Sequence, residues 1–312
     1  LVECPTRVLM DLFGDAEERD PVSRFVQLLW EKGTAFEAEV IEGLKIAYTD
    51  LSGVPLAERE ARTEEATARG DELIYQGRIR AGGLLGQPDL LRHTGDGYVA
   101  GDIKSGSGAE GSSDLEDGKP KKHYAVQLAL YTDILEQKGI ASGRSSFVWD
   151  IHRREITYHL DAPLGPRTPQ SSWDLYQQEL ELARRIIAQT ENPRPAIGSP
   201  CKLCHWRTAC GKQAERLDDL SLVPELGRAR RDSMIERLPT VAGLAEADLR
   251  EFADGKGTVF FRIGPSTLRK FQESARLLRD PARGPYLKRP VVFPDTNIEL
   301  FFDIETVSAG LT

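Results

Sequence analysis

The apolar residues along the first two thirds of the chain follow two different periods. In three segments they recur every three or four positions, and a fourth segment, 56–69, is rich in charged, helix-favouring residues. These predicted helices cover residues 22–47, 56–69, 122–138 and 172–190. Short apolar runs bounded by glycine-bearing turns predict strands. These cover residues 73–80, 84–92, 98–104, 146–151 and 155–160, with the last two forming a hairpin. The alternation predicts an α/β fold.

The composition changes after residue 210, where short helices joined by glycine and proline turns are predicted as far as residue 285. A strand-like run follows at 299–306. We therefore expect an α/β domain over 1–215, a small all-α module over 216–290, and the start of a further domain over 291–312. Because the chain begins with Leu rather than Met, we also expect a processed form or a piece of a longer protein.

The charge of the chain is unevenly distributed. The net charge is −8, but residues 255–290 carry nine basic and only two acidic side chains. Such a segment can form a phosphate-binding surface, although a solvated helix face would have the same composition. No apolar run approaches the ~18 residues that span a bilayer, and no secretory signal is recognisable. We expect no membrane partner and a cytoplasmic location.

The four cysteines are clustered in sequence. Cys201, Cys204 and Cys210 follow a C-x2-C-x5-C pattern, and Cys4 lies near the other end of the predicted α/β domain. Thiolates at such spacing can chelate one metal centre. On chemical grounds, four thiolates suit an iron–sulfur cluster and tetrahedral Zn²⁺ about equally well. His205, within the same segment, is not needed as a ligand.

Two aspartates and a lysine fall on neighbouring predicted strands. Asp102 and Lys104 point to the same face because side chains alternate along a strand, and Asp89 lies beside Asp102 if the strands pair. Two carboxylates, with the carbonyl of Ile103, would suit Mg²⁺ or Mn²⁺, and Lys104 could orient or acidify an attacking water. A surface ion pair would show the same D-x-K letters. The prediction therefore rests on the order of the segments: a strand with Asp89, a strand with Asp102 and Lys104, and then a helix.

The predicted helix that follows these strands carries Gln127 and Tyr131. The two residues are four positions apart and so share one helical face. That face could reach the metal or the phosphate next to the cut, although a tyrosine that only packs would fit the same spacing.

These segments together resemble a known family. The letters G-Q-P-D, G-D-I-K and Q-L-A-L-Y, with C-P-T-R and C-K-L-C-H-W-R-T-A-C at the two ends, are similar to the iron–sulfur branch of the RecB-like PD-(D/E)XK nucleases, over about residues 1–215. The resemblance implies a restriction-endonuclease-like mixed sheet flanked by helices. It also implies a Mg²⁺- or Mn²⁺-dependent nuclease acting on single-stranded DNA or duplex ends, with a helicase or a CRISPR-adaptation protein as a partner.

Residue roles follow from the same resemblance. Asp89 and Asp102 would bind the divalent metal, and Lys104 would be the catalytic lysine. Gln127 and Tyr131 would match a Gln-x-x-x-Tyr motif that assists DNA binding and catalysis. The four cysteines would hold a structural 4Fe–4S cluster, with Zn²⁺ as the alternative.

The sequence departs from the family pattern in the first long helix. Many members place a metal-binding His before a Glu there, whereas this chain has Phe36 before Glu37. Phe36 cannot bind a metal, while Glu37 could reach the site directly, through water, or not at all. A catalytically weak or inactive nuclease fold that only holds DNA is therefore the alternative function, and a zinc-stabilised binding module is a second one.

Two features of the C-terminal third resemble other nucleic-acid modules. Residues 226–252 and 262–278 are similar to helix–hairpin–helix segments, in which backbone N–H groups contact a DNA phosphate. A plain helical linker is the alternative. The run at 302–306, with Asp303 and Glu305, resembles the first motif of ribonuclease-H-like exonucleases, so residues 291–312 are expected to be a truncated and inactive start of that domain.

Overall fold

The computed structural model describes residues 2–111, 118–165 and 168–280, together with residues 282, 287, 289–292, 298 and 300. Its α-helices are α1 (Pro5–Phe13), α2 (Arg24–Glu42), α3 (Leu56–Arg69), α4 (Lys122–Gln137), α5 (Ser172–Ile187), α6 (Arg207–Arg216), α7 (Gly227–Met234), α8 (Val241–Glu246) and α9 (Pro265–Arg279). Short 3₁₀ turns lie at Ala16–Glu18, Ser199–Leu203, Leu220–Leu222 and Leu249–Phe252.

The strands form one central sheet and several small hairpins. The strands are β1 (Thr49–Asp50), β2 (Leu73–Tyr75), β3 (Ile79–Ala81), β4 (Leu84–Gly86), β5 (Leu90–His93), β6 (Tyr98–Ile103), β7 (Ala109–Glu110), β8 (Lys119–Pro120), β9 (Ser145–Trp149), β10 (Glu155–His159), β11 (Pro163–Gly165), β12 (Thr168–Ser171), β13 (Ala253–Asp254) and β14 (Gly257–Thr258). The central sheet has the order β1-β2-β5-β6-β9-β10. It is mixed, because β1–β2 and β6–β9 pair in parallel and the other neighbours are antiparallel.

The central strand β6 is buried along its whole length, so the sheet is covered on both faces. One face packs against α3, α4 and α5, with Ala100 of β6 and Leu128 of α4 among the buried residues. The other face packs against α2, with Val99, Ile103 and Ile41 among them. Since residues alternate along β6, Asp102 falls on the same face as Ala100, which is the face covered by α4.

The predicted α/β class is confirmed, and most of the predicted helices lie within a few residues of their expected bounds. The prediction of long strands at 73–80 and 84–92 was wrong, because each run is broken into two short strands. The inner halves, β3 and β4, turn away from the sheet and pair with each other. Such a break leaves the local apolar pattern unchanged, so periodicity alone does not reveal it.

The helical module after residue 216 has an apolar core of its own. Residues from Leu220 to Ala275 form this core, in which α8 packs against α9. The module also contains the hairpin β13–β14, so it is mostly but not entirely helical. Asp219, fully buried, forms ion pairs with Arg194 at 3.3 Å and with Arg231 at 3.9 Å, which connects the module to the segment that precedes the cysteines.

The run at 302–306 lies outside the described residues, and so do Asp303 and Glu305. In the part of the chain that the structure describes, no helix has the length and apolar character needed to cross a membrane.

Candidate active site at the end of strand β6

Asp89 and Asp102 meet where β5 and β6 pair. Leu90 of β5 lies opposite Gly101 of β6, and this antiparallel register sets Asp89 opposite Asp102. The Ile103 N–H donates a hydrogen bond of 2.8 Å to Asp89 Oδ2. The side chain of Asp89 is therefore anchored to the backbone of β6 between Asp102 and Lys104.

Asp102 and Lys104 share the α4 face of the sheet, as strand alternation requires. The Asp102 side chain is 2% exposed, and its Oδ2 forms an ion pair with Lys104 Nζ. Among the described residues, Oδ2 has no hydrogen-bond partner of acceptable geometry. A shielded carboxylate oxygen without a hydrogen bond is unfavourable unless a cation balances it.

Helix α4 extends this arrangement through Gln127 and Tyr131. Lys104 Nζ donates to Gln127 Oε1 at 3.3 Å, and Gln127 Nε2 donates to the Tyr131 hydroxyl at 2.8 Å. That hydroxyl donates in turn to the carbonyl of Gln87 at 3.2 Å, two residues before Asp89. Gly86 permits the close approach, since a Cβ at this position would lie 2.7 Å from the Tyr131 ring.

The other side of the site is formed by α2 and the end of β2. Glu37 of α2 accepts a hydrogen bond from Gln76 Nε2, which also lies 3.4 Å from Asp89 Oδ1. Gln76 itself has a left-handed backbone with φ of 57°, and its N–H donates to the carbonyl of Asp89 at 2.8 Å. Gln76 thus connects Glu37 to Asp89, and no sequence signal pointed to it because its position depends on a left-handed backbone at a residue other than glycine.

Phe36 stands where the family pattern described above has a histidine, and its side chain packs against apolar residues. It is partly buried against the apolar cluster beneath the sheet, which contains Ile41, Leu73 and Ile103. Phe36 therefore packs in the apolar core at a position where the family pattern would place a histidine nitrogen that binds the metal.

The electrostatics of the site reflect carboxylates held close together. Burial, followed by repulsion from the carboxylates of Asp102 and Glu37, raises the pKa of Asp89 to about 8, although the Ile103 hydrogen bond acts in the opposite direction. Burial works to lower the pKa of Lys104, but the carboxylates of Asp102 and Asp89 outweigh it and raise that pKa. Lys104 is accordingly a charged ammonium over the whole neutral range.

The donor set fits a hard divalent cation in its chemistry, although it is not arranged as a closed metal site. As the side chains stand, no group of three or more histidine, cysteine, aspartate or glutamate residues in the described ranges is arranged to hold a metal ion. Asp89 and Asp102 nevertheless supply carboxylate oxygens, one of them lacking a hydrogen bond of acceptable geometry, and burial together with repulsion from Asp102 and Glu37 raises the pKa of Asp89. Two carboxylates and a backbone carbonyl are the ligands that Mg²⁺ and Mn²⁺ prefer.

A second cluster brings the two ends of the α/β domain together. Cys4, Cys201, Cys204 and Cys210 are free thiols and line one cavity. Thr6 Oγ1 donates to the carbonyls of Pro193 at 3.3 Å and Arg194 at 2.9 Å, which ties the start of α1 to the segment before the cysteines.

The surroundings of the thiols are partly apolar. Burial, then the nearness of the other three cysteines, raises the pKa of Cys210 to about 12, and burial also raises that of Cys204. Arg228 of α7 donates to Cys4 Sγ at 3.4 Å, and the Trp206 N–H donates to Cys204 Sγ at 3.4 Å. Cys204 and Cys210 would thus be expected to be neutral thiols without a cation, and thiolates only when one binds.

The comparison with protein-family models decides the family. The model described as the PD-(D/E)XK nuclease superfamily matches residues 9–211, which is more than half of the chain. The chain belongs to the PD-(D/E)XK nuclease superfamily. A comparison with curated proteins found no match.

Membership in the PD-(D/E)XK superfamily confirms several expectations. The mixed sheet flanked by helices is the restriction-endonuclease-like fold that the sequence predicted. The chain is a metal-dependent nuclease by family, and its substrate class is a nucleic acid whose phosphodiester bonds are hydrolysed. PD-(D/E)XK nucleases use divalent metals such as Mg²⁺ and Mn²⁺. The roles of individual residues and the iron–sulfur centre stay predictions.

The raised pKa of Asp89 leads to a prediction about metal binding. At pH 7 the side chain keeps its proton when no cation is present, so binding Mg²⁺ or Mn²⁺ should release about one proton. At pH 9.5, above the pKa, the release should approach zero. Titration calorimetry in two buffers of different ionisation enthalpy measures this quantity. Proton release that stays the same from pH 6 to pH 9.5 would contradict the prediction.

The raised pKa of Asp89 also predicts how the stability of the metal-free protein depends on pH. A folded-state pKa raised from 3.8 to about 8 means that the metal-free fold loses stability as the pH rises through this window. Asp89→Asn should remove that loss, so the melting temperature of the variant should exceed that of wild type at pH 9 and differ little at pH 4.

Proposed function

We propose that this protein is a deoxyribonuclease that hydrolyses phosphodiester bonds at single-stranded or frayed DNA ends with Mg²⁺ or Mn²⁺. The observation that carries the proposal is the hydrogen bond from the Ile103 N–H to Asp89, which holds this carboxylate between Asp102 and Lys104. Membership in a nuclease superfamily sets the reaction type. The preference for DNA ends comes from the RecB-like resemblance.

The metal would be held by Asp89, Asp102 and the carbonyl of Ile103, with Glu37 contributing directly or through water. When bound, a divalent cation lowers the pKa of a coordinated water and polarises the phosphoryl oxygen. Gln76 already engages Glu37 and lies near Asp89, so we assign it the role of setting the distance between these carboxylates.

The remaining steps belong to side chains of the chain itself. The Lys104 ammonium, charged because its pKa is raised, orients the attacking water and offsets negative charge on the phosphate as the bond breaks. Gln127 and Tyr131 hold Lys104 in place through their chain of hydrogen bonds. Burial raises the pKa of Tyr131, so its hydroxyl stays protonated and serves as a donor.

The test of this proposal is cleavage of end-labelled single- and double-stranded DNA by wild type and by Lys104→Ala. We expect the variant to cut about 10²- to 10³-fold more slowly at saturating DNA, because a preorganised positive charge is removed from the reacting phosphate. Its DNA affinity in EDTA should change only a few-fold. A Lys104→Ala variant as fast as wild type would remove the lysine from the mechanism.

Lys121 offers a matched control for Lys104. Both ammonium groups lie over the Tyr124 ring, at 5.3 Å for Lys104 and 5.1 Å for Lys121, but only the first forms the ion pair with Asp102. Lys121→Ala should therefore leave the rate at saturating DNA within about twofold of wild type, since surface substitutions away from special contacts have small effects.

We also propose that the four cysteines hold a 4Fe–4S cluster with a structural role. The proposal is supported by the shared cavity and by the mutual effect of the thiols on the pKa of Cys210. The alternative is Zn²⁺, which four thiolates would bind as well. Either centre would join the start of α1 to the segment around α6.

The helical module over 216–290 is proposed to contact the DNA backbone. Arg250, Arg269 and Arg276 line a groove between α9 and the segment from Ala247 to Thr258, and this supports phosphate contact. A helicase or a CRISPR-adaptation protein is the partner suggested by the family resemblance.

The competing function is a nuclease fold that holds DNA without cutting it. The specific observation in its favour is the packing of Phe36 in the apolar cluster, where the family pattern has a metal-binding histidine. Cleavage by the wild-type protein with Mn²⁺ decides between the two, since the scaffold predicts binding with no product.

A further inference from the structure

The first half of α2 carries large apolar side chains that face solvent. Trp30 is 61% exposed, and Phe25 is 53% exposed. An aromatic side chain that stays in water contributes little to folding, and exposed apolar surface next to polar groups often marks a binding site. Packing in the core of the domain therefore does not explain why a tryptophan stands at position 30.

Trp30 lies in a groove whose rim is basic. Val26, Leu29 and Trp30 of α2 form one wall, and the segment from Lys202 to Thr208 forms the opposite wall. The basic side chains that line the groove are Arg7, Arg19, Lys202 and Arg207. The acidic side chain among the lining residues is Asp20, and it already accepts a hydrogen bond of 2.9 Å from the Thr208 N–H.

The face of α2 that lines the groove continues towards the candidate active site. Trp30 and Glu37 are seven residues apart, which is two helical turns, so both lie on one face about 10 Å from each other. Gly33 lies between them on this face, and its Cβ position is 3.8 Å from the hydroxyl of Ser105, the residue after Lys104. A ligand lying along this face of α2 would pass from Trp30 to the carboxylates.

We propose that this groove binds the single strand of DNA that is cut, with one base stacked on Trp30 and the adjoining phosphates next to Lys202 and Arg207. An exposed aromatic ring beside basic side chains is the combination that binds single strands without reading their sequence. The inference rests on the proposed function, because it defines the path of that substrate.

The test is the affinity of the whole protein for a fluorescent oligo-dT of about 12 nucleotides, measured by anisotropy in EDTA so that no strand is cut. Trp30→Ala should bind about tenfold more weakly, and Trp30→Tyr should stay within about threefold of wild type because stacking is retained. Phe25→Ala is the matched control: it removes an exposed aromatic ring from the same helix, but Phe25 does not line the groove.

The basic wall is tested by Lys202→Glu combined with Arg207→Glu. The slope of log affinity against log salt should become less steep by about 0.7 for each phosphate that the protein no longer neutralises. The proposal is overturned if Trp30→Ala binds like wild type. It is also overturned if Trp30→Ala changes the molar mass in light scattering and leaves DNA binding unaltered, which would identify a protein interface.

Cleavage assays separate this inference from the proposed function. If wild type cuts DNA and Trp30→Ala binds and cuts DNA as wild type does, the proposed DNA path is wrong and the nuclease proposal is unaffected. If wild type cuts no DNA but its binding depends on Trp30, the groove stands and the scaffold replaces the nuclease.

Discussion

Asp102→Asn is expected to reduce the rate of DNA cleavage by about a thousandfold or more. The buried carboxylate is the partner of Lys104, and its Oδ2 has no hydrogen bond of acceptable geometry in the described part of the chain. Asn has nearly the same shape but no charge, so the cation would lose a ligand while the packing is retained. End-labelled DNA with Mg²⁺ or Mn²⁺ in excess measures the rate.

Asp150 provides a matched control for Asp102. It is also a fully buried aspartate, just after the end of β9, but its oxygens are satisfied by the Arg154 guanidinium and by the N–H groups of His152 and Arg154. Asp150→Asn should lower the melting temperature by several degrees, because it weakens a buried ion pair, and should leave the cleavage rate nearly unchanged. Asp102→Asn should instead reduce the cleavage rate sharply, whatever its effect on the melting temperature. If it cleaves at the wild-type rate, the proposed site is wrong.

Cys210→Ser is expected to remove the metal centre and to lower the melting temperature by about 10 °C or more, since a structural metal contributes its binding free energy to folding. Iron, zinc and acid-labile sulfide are measured on protein purified without oxygen. Hydrogen exchange should show that α1 and α6 lose protection before the sheet does.

His205→Ala is the control within the same segment. Its imidazole Nε2 lies 2.7 Å from Asp11 Oδ1, so its loss should cost some stability and no metal. Zinc instead of iron in the wild-type protein would favour the zinc alternative. A protein without either metal that melts at the same temperature as Cys210→Ser would contradict both.

The arrangement of Asp89, Asp102 and Lys104 could be predicted because it depends on local rules. Alternation along β6 puts Asp102 and Lys104 on one face, and the pairing of neighbouring strands sets Asp89 opposite Asp102. The shared face of Gln127 and Tyr131 could be predicted for a similar reason, since residues four apart lie on the same side of a helix.

Other parts of the site depend on tertiary structure and left no signal in the sequence. Gln76 reaches Glu37 and Asp89 only because its backbone is left-handed, a conformation that is uncommon without glycine. Arg228 contacts Cys4 across 224 positions of the chain. Neither contact has a period or a motif, so neither could be inferred before the fold was known.

The adjacency of Cys4 and the segment around Cys210 has a mechanical consequence. A force that pulls these two points apart would pass directly through the thiol-lined junction, because α1 is already hydrogen-bonded to the carbonyls of Pro193 and Arg194. Tension applied between these two points would therefore strain the junction first.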